Sequence, residues 1–321
     1  MSASPRLVTL SDIEHASERI ASTCLRTPVV PLVQPDGDVP LWLKAESLQP
    51  TGAFKLRGAT NAVAVLDTAQ RQRGVVTHSS GNHAQAVAYA ARAAGVRATI
   101  VIPDNAPSLK VEATRRWGAE IVIVPPSERL ARAEQIAAET GAVLIPPYDD
   151  PDVIAGQGTV GLEIVEQVAD LGTVLVPVSG GGLVSGIAAA VKALRPDVRV
   201  IAVEPELAGD LAEGWAAGER RVWSVADTSR TVADGLRTDS VGVLNWAHVQ
   251  AFVDDVVTVS EDEILAAVGT VVRGSRLVVE PSGAVAAAAV LAGRVGPVAG
   301  TTVAVASGGN VPPETLARLL G

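Results

Sequence analysis

Short β-branched runs alternate with Ala-rich stretches along most of the chain. The apolar runs Val75–His78, Ala98–Ile102, Glu120–Val124, Val143–Ile145, Val174–Val178, Val198–Val203 and Thr302–Ala306 read as strands. The stretches Ala59–Leu66, Asn82–Ala94, Ser108–Trp117, Arg129–Glu139 and Gly186–Leu194 read as helices. Most of the strands are apolar at successive positions, the pattern of a strand buried on both faces. Strands separated by helix-length segments pair in parallel through crossover helices. Ser11-Asp-Ile-Glu14 has capping-box spacing and marks the start of an N-terminal helix. No repeat, low-complexity tract or long linker interrupts the pattern. The expected fold is α/β, with two open, mostly parallel, doubly wound sheets and not a closed barrel.

Three of these strands end in small polar residues and glycine: His78-Ser-Ser-Gly-Asn82, Val178-Ser-Gly-Gly-Gly-Leu183 and Ala306-Ser-Gly-Gly-Asn310. In open α/β sheets ligands bind beyond the carboxyl ends of strands, where helix N-termini present unpaired N–H groups. A single turn of this kind is equally well explained by tight βα geometry. Three of them, from distant parts of the chain, point to one shared ligand.

Composition narrows the partners. The chain has 321 residues, 48% of them hydrophobic, which excludes a disordered chain and suits two packed units. A formal charge of −9 lacks the cation clusters that hold phosphate backbones, so no nucleic-acid partner is expected. No apolar run reaches the roughly 18–20 residues of a membrane span, and no signal-peptide core is present, so no membrane partner is expected. Cys24 has no disulfide partner, and the expected compartment is the cytoplasm.

Ser179, Gly180, Gly181, Gly182 and Leu183 precede a helix, and consecutive glycines let backbone N–H groups approach a phosphate. Glu204 ends the next strand, which is compatible with a dinucleotide whose ribose it would bind; the glycine spacing, however, is not G-x-G-x-x-G. This alternative reading makes the chain a nicotinamide-dependent dehydrogenase using Gly180–Gly182 and Glu204. The second motif is Thr51-Gly-Ala-Phe-Lys55-Leu-Arg-Gly58. Only Lys44, Lys55, Lys110 and Lys192 are lysines, and Lys55 alone sits between Phe54 and small residues. A desolvated lysine has a lowered pKa, which suits capture of a carbonyl. A phosphate cradle with one such lysine is what pyridoxal phosphate needs.

Together with Ser79-Ser-Gly-Asn-His83 and Ser307-Gly-Gly-Asn310, these motifs closely resemble the serine/threonine dehydratase and serine racemase family of fold-type II pyridoxal-phosphate enzymes. The resemblance spans nearly the whole chain, in the family's order. Ile154-Ala-Gly-Gln-Gly-Thr159, Val232-Ala-Asp-Gly235 and Val279-Glu-Pro-Ser-Gly283 extend it, and Ala53 departs from it where many relatives carry Ser. It implies a tryptophan-synthase-β-like fold, with a large cofactor-binding domain of residues 1–65 and 149–321 and a small inserted α/β domain of residues 66–148. It also implies that Lys55 binds the cofactor covalently, Phe54 packs on its ring, and Asn82 bonds its phenolic oxygen. Ser179, Gly180, Gly181, Gly182 and Leu183 would hold its phosphate, Gly235 would make a backbone contact, and Ser307 would meet the pyridine nitrogen. Ser79, Ser80, Gly81, Asn82 and His83 match the loop for the substrate carboxylate, and His83 is as well explained by packing as by catalysis. Ser80 matches the hydroxyl that faces the substrate from the side opposite Lys55 in racemases.

A neutral Ser307 hydroxyl does not hold the pyridine nitrogen protonated as an aspartate would, which disfavours transamination and suits prompt loss of a β substituent. The implied reaction converts L-serine, L-threonine or a close 3-hydroxy amino acid to a 2-oxo acid and ammonia, with racemisation permitted by Ser80. Glu204, Ala208 and Asp210 match a divalent-cation loop of activated relatives, and hard oxygen ligands suit Mg²⁺, Ca²⁺ or Mn²⁺. A homodimer or higher homo-oligomer is expected. Cys24 reads as a small core residue, and His15 and His248 read as surface groups.

Overall fold

The structure, a computed structural model, describes residues 6–33, 41–296 and 299–320. The chain opens with α1 (Leu10–Ile20), β1 (Val29–Leu32) and β2 (Leu41–Lys44), followed by α2 (Lys55–Ala64) and α3 (Thr68–Arg73). A run of βα units follows: β3 (Val75–His78), α4 (Asn82–Ala93), β4 (Ala98–Pro103), α5 (Ser108–Arg115), β5 (Glu120–Val124), α6 (Arg129–Thr140) and β6 (Val143–Leu144). Next come α7 (Pro151–Gln167), β7 (Leu171–Pro177), α8 (Gly182–Leu194), β8 (Arg199–Pro205), α9 (Asp210–Ala217) and α10 (Val225–Thr228). The described chain closes with α11 (Val243–Phe252), β9 (Asp255–Val259), α12 (Glu261–Ser275), α13 (Pro281–Leu291), β10 (Thr301–Val305) and α14 (Pro313–Leu320).

Among the described residues ten strands form two open sheets, in the orders β1-β2-β10-β7-β8-β9 and β5-β4-β3-β6. Every pairing is parallel except β1 with β2. The first sheet is buried on both faces, as its unbroken apolar strands require. Leu175, Ile201, Val203 and Ala304 face a core with α12 and α13, while Val174, Val176, Val200, Val303 and Val305 face one with α8 and α11. That division is the period-two alternation of a strand, with both sets apolar. α2 contributes Ala59, Ala62 and Val63 to the core beneath the second sheet, beside Val75, Val87 and Ile100.

Three local expectations are corrected. The capping box forms on Thr9 and Asp12, not on Ser11 and Glu14: Asp12 N–H donates to Thr9 Oγ1 (3.3 Å), and Thr9 N–H donates to Asp12 Oδ2 (2.9 Å). The buried stripe Ile13, Ala16, Ile20 fixes that phase, leaving Ser11 inside the helix on its exposed side. α2 and α8 each begin four residues earlier than expected, at Lys55 and Gly182, so the motif residues themselves start the helices. His248 is buried, not a surface group. Its Nε2 accepts Val8 N–H (2.9 Å), which leaves the proton on Nδ1 to donate to Leu244 C=O (2.8 Å) and ties the N-terminal segment to α11. Cys24 is a core residue beside Leu56, as expected.

Candidate active site

A cavity of about 350 Å³ is lined by the turns that follow β3, β7 and β10. Phe54, Lys55, Ser79, Ser80, Gly81, Asn82, His83, Ser179, Gly180, Gly181, Gly182, Leu183, Gly235 and Ser307, all singled out in the sequence, reach it. Residues more than two hundred positions apart thus share one space, at the carboxyl ends of strands from both sheets.

Lys55 is the first residue of α2 and is held by the turn before it. Phe54 N–H donates to Ser307 C=O (3.0 Å), and Ala53 bridges Gly308. The Lys55 amine donates to Pro147 C=O at 2.6 Å and lies 5.2 Å from the Phe54 ring centre. The other three lysines are each paired with a carboxylate: Lys44 with Glu163, Lys110 with Asp234, and Lys192 with Asp254. Lys55 has none. Its desolvated surroundings pull its pKa down to about 8, so about a tenth of the amine is neutral at pH 7.

Two helices aim their N-termini at the cavity. Gly181 caps α8 in the left-handed region (φ +91°) and Gly81 caps α4; neither cap donates or accepts through a side chain. The first N–H groups of both helices are therefore left without partners in the helix, a ready anion site. Ser179 Oγ shares a hydrogen bond with Thr238 Oγ1 (2.7 Å) and accepts Thr238 N–H (3.2 Å), which holds the Gly235–Thr238 segment against the glycine turn. Gly180 serves a purpose its sequence did not disclose. A Cβ there would stand 2.2 Å from the Tyr148 ring, so the bare Cα makes room for Tyr148. Burial, with Asp239 and Asp149 nearby, pushes that phenol up to about 12 and keeps it protonated.

His83 is a neutral ring. Nε2 stands 3.1 Å from Ile145 C=O and donates to it, while Nδ1 is buried without a partner. Burial and then the Lys55 charge push its pKa down to about 3, so the ring is no acid near neutrality. Ser307 is buried and borders the cavity. Lys110 and Asp234 close one side of the opening with an ion pair between α5 and the turn before Gly235. Glu280, Asn310 and Tyr148 also line the space; Glu280 and Asn310 belong to the motifs Val279–Gly283 and Ser307–Asn310, whereas no motif contains Tyr148.

Glu204, Ala208 and Asp210 do not line this cavity. Glu204 accepts Leu211 N–H (3.3 Å) and Ala212 N–H (2.8 Å), so it holds the start of α9 and is no ribose-binding acid. That removes the support for a dinucleotide and for the dehydrogenase reading. Asp210 accepts Val241 N–H (2.9 Å). Burial raises the pKa of both carboxyls, Asp210 to about 7, and the Asp210 charge raises Glu204 further. Among the described residues no cluster of three or more His, Cys, Asp or Glu side chains is placed to hold a metal ion. A cation here would have two carboxylates and backbone carbonyls as its protein ligands.

Residues 20–308 match the family model described as pyridoxal-phosphate dependent enzyme. A serine racemase of Arabidopsis thaliana is 45% identical over 283 residues, covering 87% of this chain and 84% of its own. The catabolic L-threonine dehydratase of Escherichia coli is 38% identical over 320 residues, 98% of this chain and 96% of its own. The solved structure of maize serine racemase superposes with a TM-score of 0.90 at 41% identity, covering 98% of this chain and 97% of its own. The cavity fits the group that family carries. It holds one lysine with no carboxylate partner among the described residues, together with a glycine-capped helix start suited to a phosphate.

Proposed function

Because the chain belongs to the pyridoxal-phosphate-dependent enzymes, we propose that it is an ammonia-lyase for L-threonine, L-serine or a close 3-hydroxy amino acid, with a capacity to racemise serine. The observation that carries this reading is Lys55. It is the lysine without a carboxylate, lowered to about 8, in a cavity with two glycine-capped helix starts. Bound pyridoxal phosphate supplies an aldehyde for a lysine amine and an electron sink for charge developing at a substrate α-carbon. The N–H groups opening α8 would hold its phosphate, Asn82 its phenolic oxygen, and Ser307 its ring nitrogen. The N–H groups of Ser79–His83 at the start of α4 would hold the substrate carboxylate. Lys55 would be the base for the α-proton on its own face of the substrate. A neutral Ser307 hydroxyl at the ring nitrogen would leave that sink weak, which favours loss of the β-hydroxyl over transamination. The same reading assigns residues 1–65 and 149–321 to a cofactor-binding domain and 66–148 to a smaller one, in a cytoplasmic homo-oligomer.

The test is a panel of 3-hydroxy amino acids assayed for 2-oxo acid release with pyridoxal phosphate present. Release from L-threonine or L-serine is expected. No release from any member, by protein that has taken up the cofactor, contradicts the lyase assignment.

Ser80 separates the two activities. Racemisation needs a proton donor on each face of the α-carbon, whereas elimination from the L-substrate needs only the Lys55 face. Ser80→Ala is expected to lower serine racemisation by about 10²-fold or more, while L-serine elimination stays within about tenfold. Equal losses, measured by chiral chromatography and 2-oxo acid release, contradict a two-face arrangement.

The Glu204–Asp210 loop is proposed to take Mg²⁺, Ca²⁺ or Mn²⁺ through Glu204, the Ala208 carbonyl and Asp210. Two neighbouring carboxylates are buried there without a Lys or Arg ion pair among the described residues, and a cation relieves that repulsion. A ligand that binds only the folded state stabilises it by mass action. Chelation is expected to lower the melting temperature, with Mg²⁺ restoring it and Asp210→Ala abolishing the response. A wild-type melting curve indifferent to chelator and to all three cations would sink this site.

A further inference from the structure

Asn82 is the residue assigned to the cofactor's phenolic oxygen, and an amide side chain does that work only if its nitrogen, not its oxygen, is turned the right way. The two ends of an amide have nearly the same shape, so the surrounding hydrogen bonds must decide. Here they form a chain with a fixed direction. Thr51 C=O can only accept, and Asn310 Nδ2 donates to it at 2.8 Å. The same Nδ2 donates to Asn82 Oδ1 at 2.8 Å, which uses both Asn310 amide hydrogens. Asn82 Oδ1 is thereby turned toward Asn310, and Asn82 Nδ2 donates to Glu280 Oε1 at 2.7 Å. Flipping Asn82 would set two oxygens against each other at the Glu280 end and two NH₂ groups at the Asn310 end. One Asn82 N–H is left over, and Asn82, Glu280 and Asn310 all border the cavity.

We propose that Glu280 and Asn310 are positioning residues that lock Asn82 as a hydrogen-bond donor toward the bound cofactor. The proposal rests on the pyridoxal-phosphate reading of the cavity. Glu280 is itself fixed. It is buried, it immediately precedes Pro281 at the start of α13, and its N–H donates to Gly308 C=O at 3.0 Å. Gly308 has to be bare: a Cβ there would lie 2.5 Å from Glu280 Oε1 and 3.3 Å from Asn82 Nδ2. The charged groups that face Glu280 are Asp234, on the turn before Gly235, and Lys110, on α5. Burial and then the Asp234 charge raise its pKa to about 7, against the pull of the Asn82 bond and Lys110. An ionised carboxylate is the stronger acceptor, so the lock on Asn82 tightens as pH rises through neutrality.

The experiment loads wild type, Glu280→Gln, Glu280→Ala and Asn310→Ala with pyridoxal phosphate. It reads the visible absorption maximum between about pH 6 and 9, together with the cofactor dissociation constant from titration of the apoprotein. Wild type is expected to show one spectral transition near neutrality. Glu280→Gln keeps an accepting oxygen in the same place, so it should bind cofactor within about threefold of wild type and lose the transition. Glu280→Ala and Asn310→Ala should shift the maximum and weaken cofactor binding about tenfold. A purely structural role would lower melting temperatures and leave the spectrum alone. Wild-type spectra and affinities in both alanine variants, or an unchanged transition in Glu280→Gln, overturn the proposal; the isosteric Gln variant decides if the alanine variants do not fold. Wild-type protein that takes up no cofactor at all overturns the underlying reading, a result distinct from either.

Discussion

Lys55→Ala is expected to lose the visible absorption of the cofactor-bound protein and to lower 2-oxo acid release by at least about 10³-fold, because one side chain carries both the covalent attachment and the proton transfer. No neighbour can substitute. Lys44 is buried in an ion pair with Glu163, Lys110 is committed to Asp234, and Lys192 to Asp254. His83, which feels the Lys55 charge, has its pKa pushed to about 3 and its Nε2 donates to Ile145 C=O, so it takes no proton near neutrality. The change should cost little stability, since the Lys55 amine makes one hydrogen bond, to Pro147 C=O. The glycine turn and the α8 N-terminus remain, so pyridoxal phosphate should still bind non-covalently, with a dissociation constant measurable by dialysis. A variant that keeps both the visible band and the activity removes Lys55 from the chemistry.

The second large effect lies behind the site. Lys44, Glu46, Arg57 and Glu163 form a buried cluster of two cations and two anions. Arg57 makes two bonds to Glu46 and two to Glu163, between 2.6 and 2.9 Å, while Lys44 donates to Glu163 at 2.6 Å and to Thr27 C=O at 2.7 Å. Taking these charges out of water is costly, and the net value of the whole cluster against an apolar replacement is small. Breaking it from one side is a different matter. Glu163→Ala leaves Lys44 without its carboxylate and Arg57 with half of its carboxylate bonds, at an expected loss of about 3–5 kcal/mol. In a chain of this size that lowers the melting temperature by about 4–7 °C. Arg57 lies two residues past Lys55 on the same helix, so cofactor affinity should fall with it. A loss below about 1 kcal/mol in denaturant unfolding would mean that the cluster is hydrated and does not tie α2, through Arg57, to Glu163 on α7.

The residues around Lys55 were legible because their signals are local. A strand ending in Ser-Gly-Gly-Gly, or a lysine beside Phe54 and small residues, announces itself within ten positions, and those turns do converge. What the sequence hid is made by partners far apart. Glu280 meets Asn82 across 198 positions, and Lys44 meets Glu163 across 119. Nothing beside Gly180 in the chain announces the Tyr148 ring that its bare Cα admits. The same limit explains His248: a histidine in a polar-looking helix reads as exposed until Val8, 240 positions away, is found donating to it. Glu204 was misleading for a related reason. Its place at a strand end suits a ribose contact, yet the start of α9 folds back and takes both of its oxygens.

The central claim, that this chain works through pyridoxal phosphate held on Lys55, is tested most directly by reducing the cofactor-loaded wild-type protein with borohydride and mapping its peptides by mass spectrometry. Four lysines make the answer unambiguous. The account expects the reduced cofactor mass on the peptide containing Lys55, and its disappearance in Lys55→Ala. The same mass on Lys44, Lys110 or Lys192, or on no peptide at all, would contradict it.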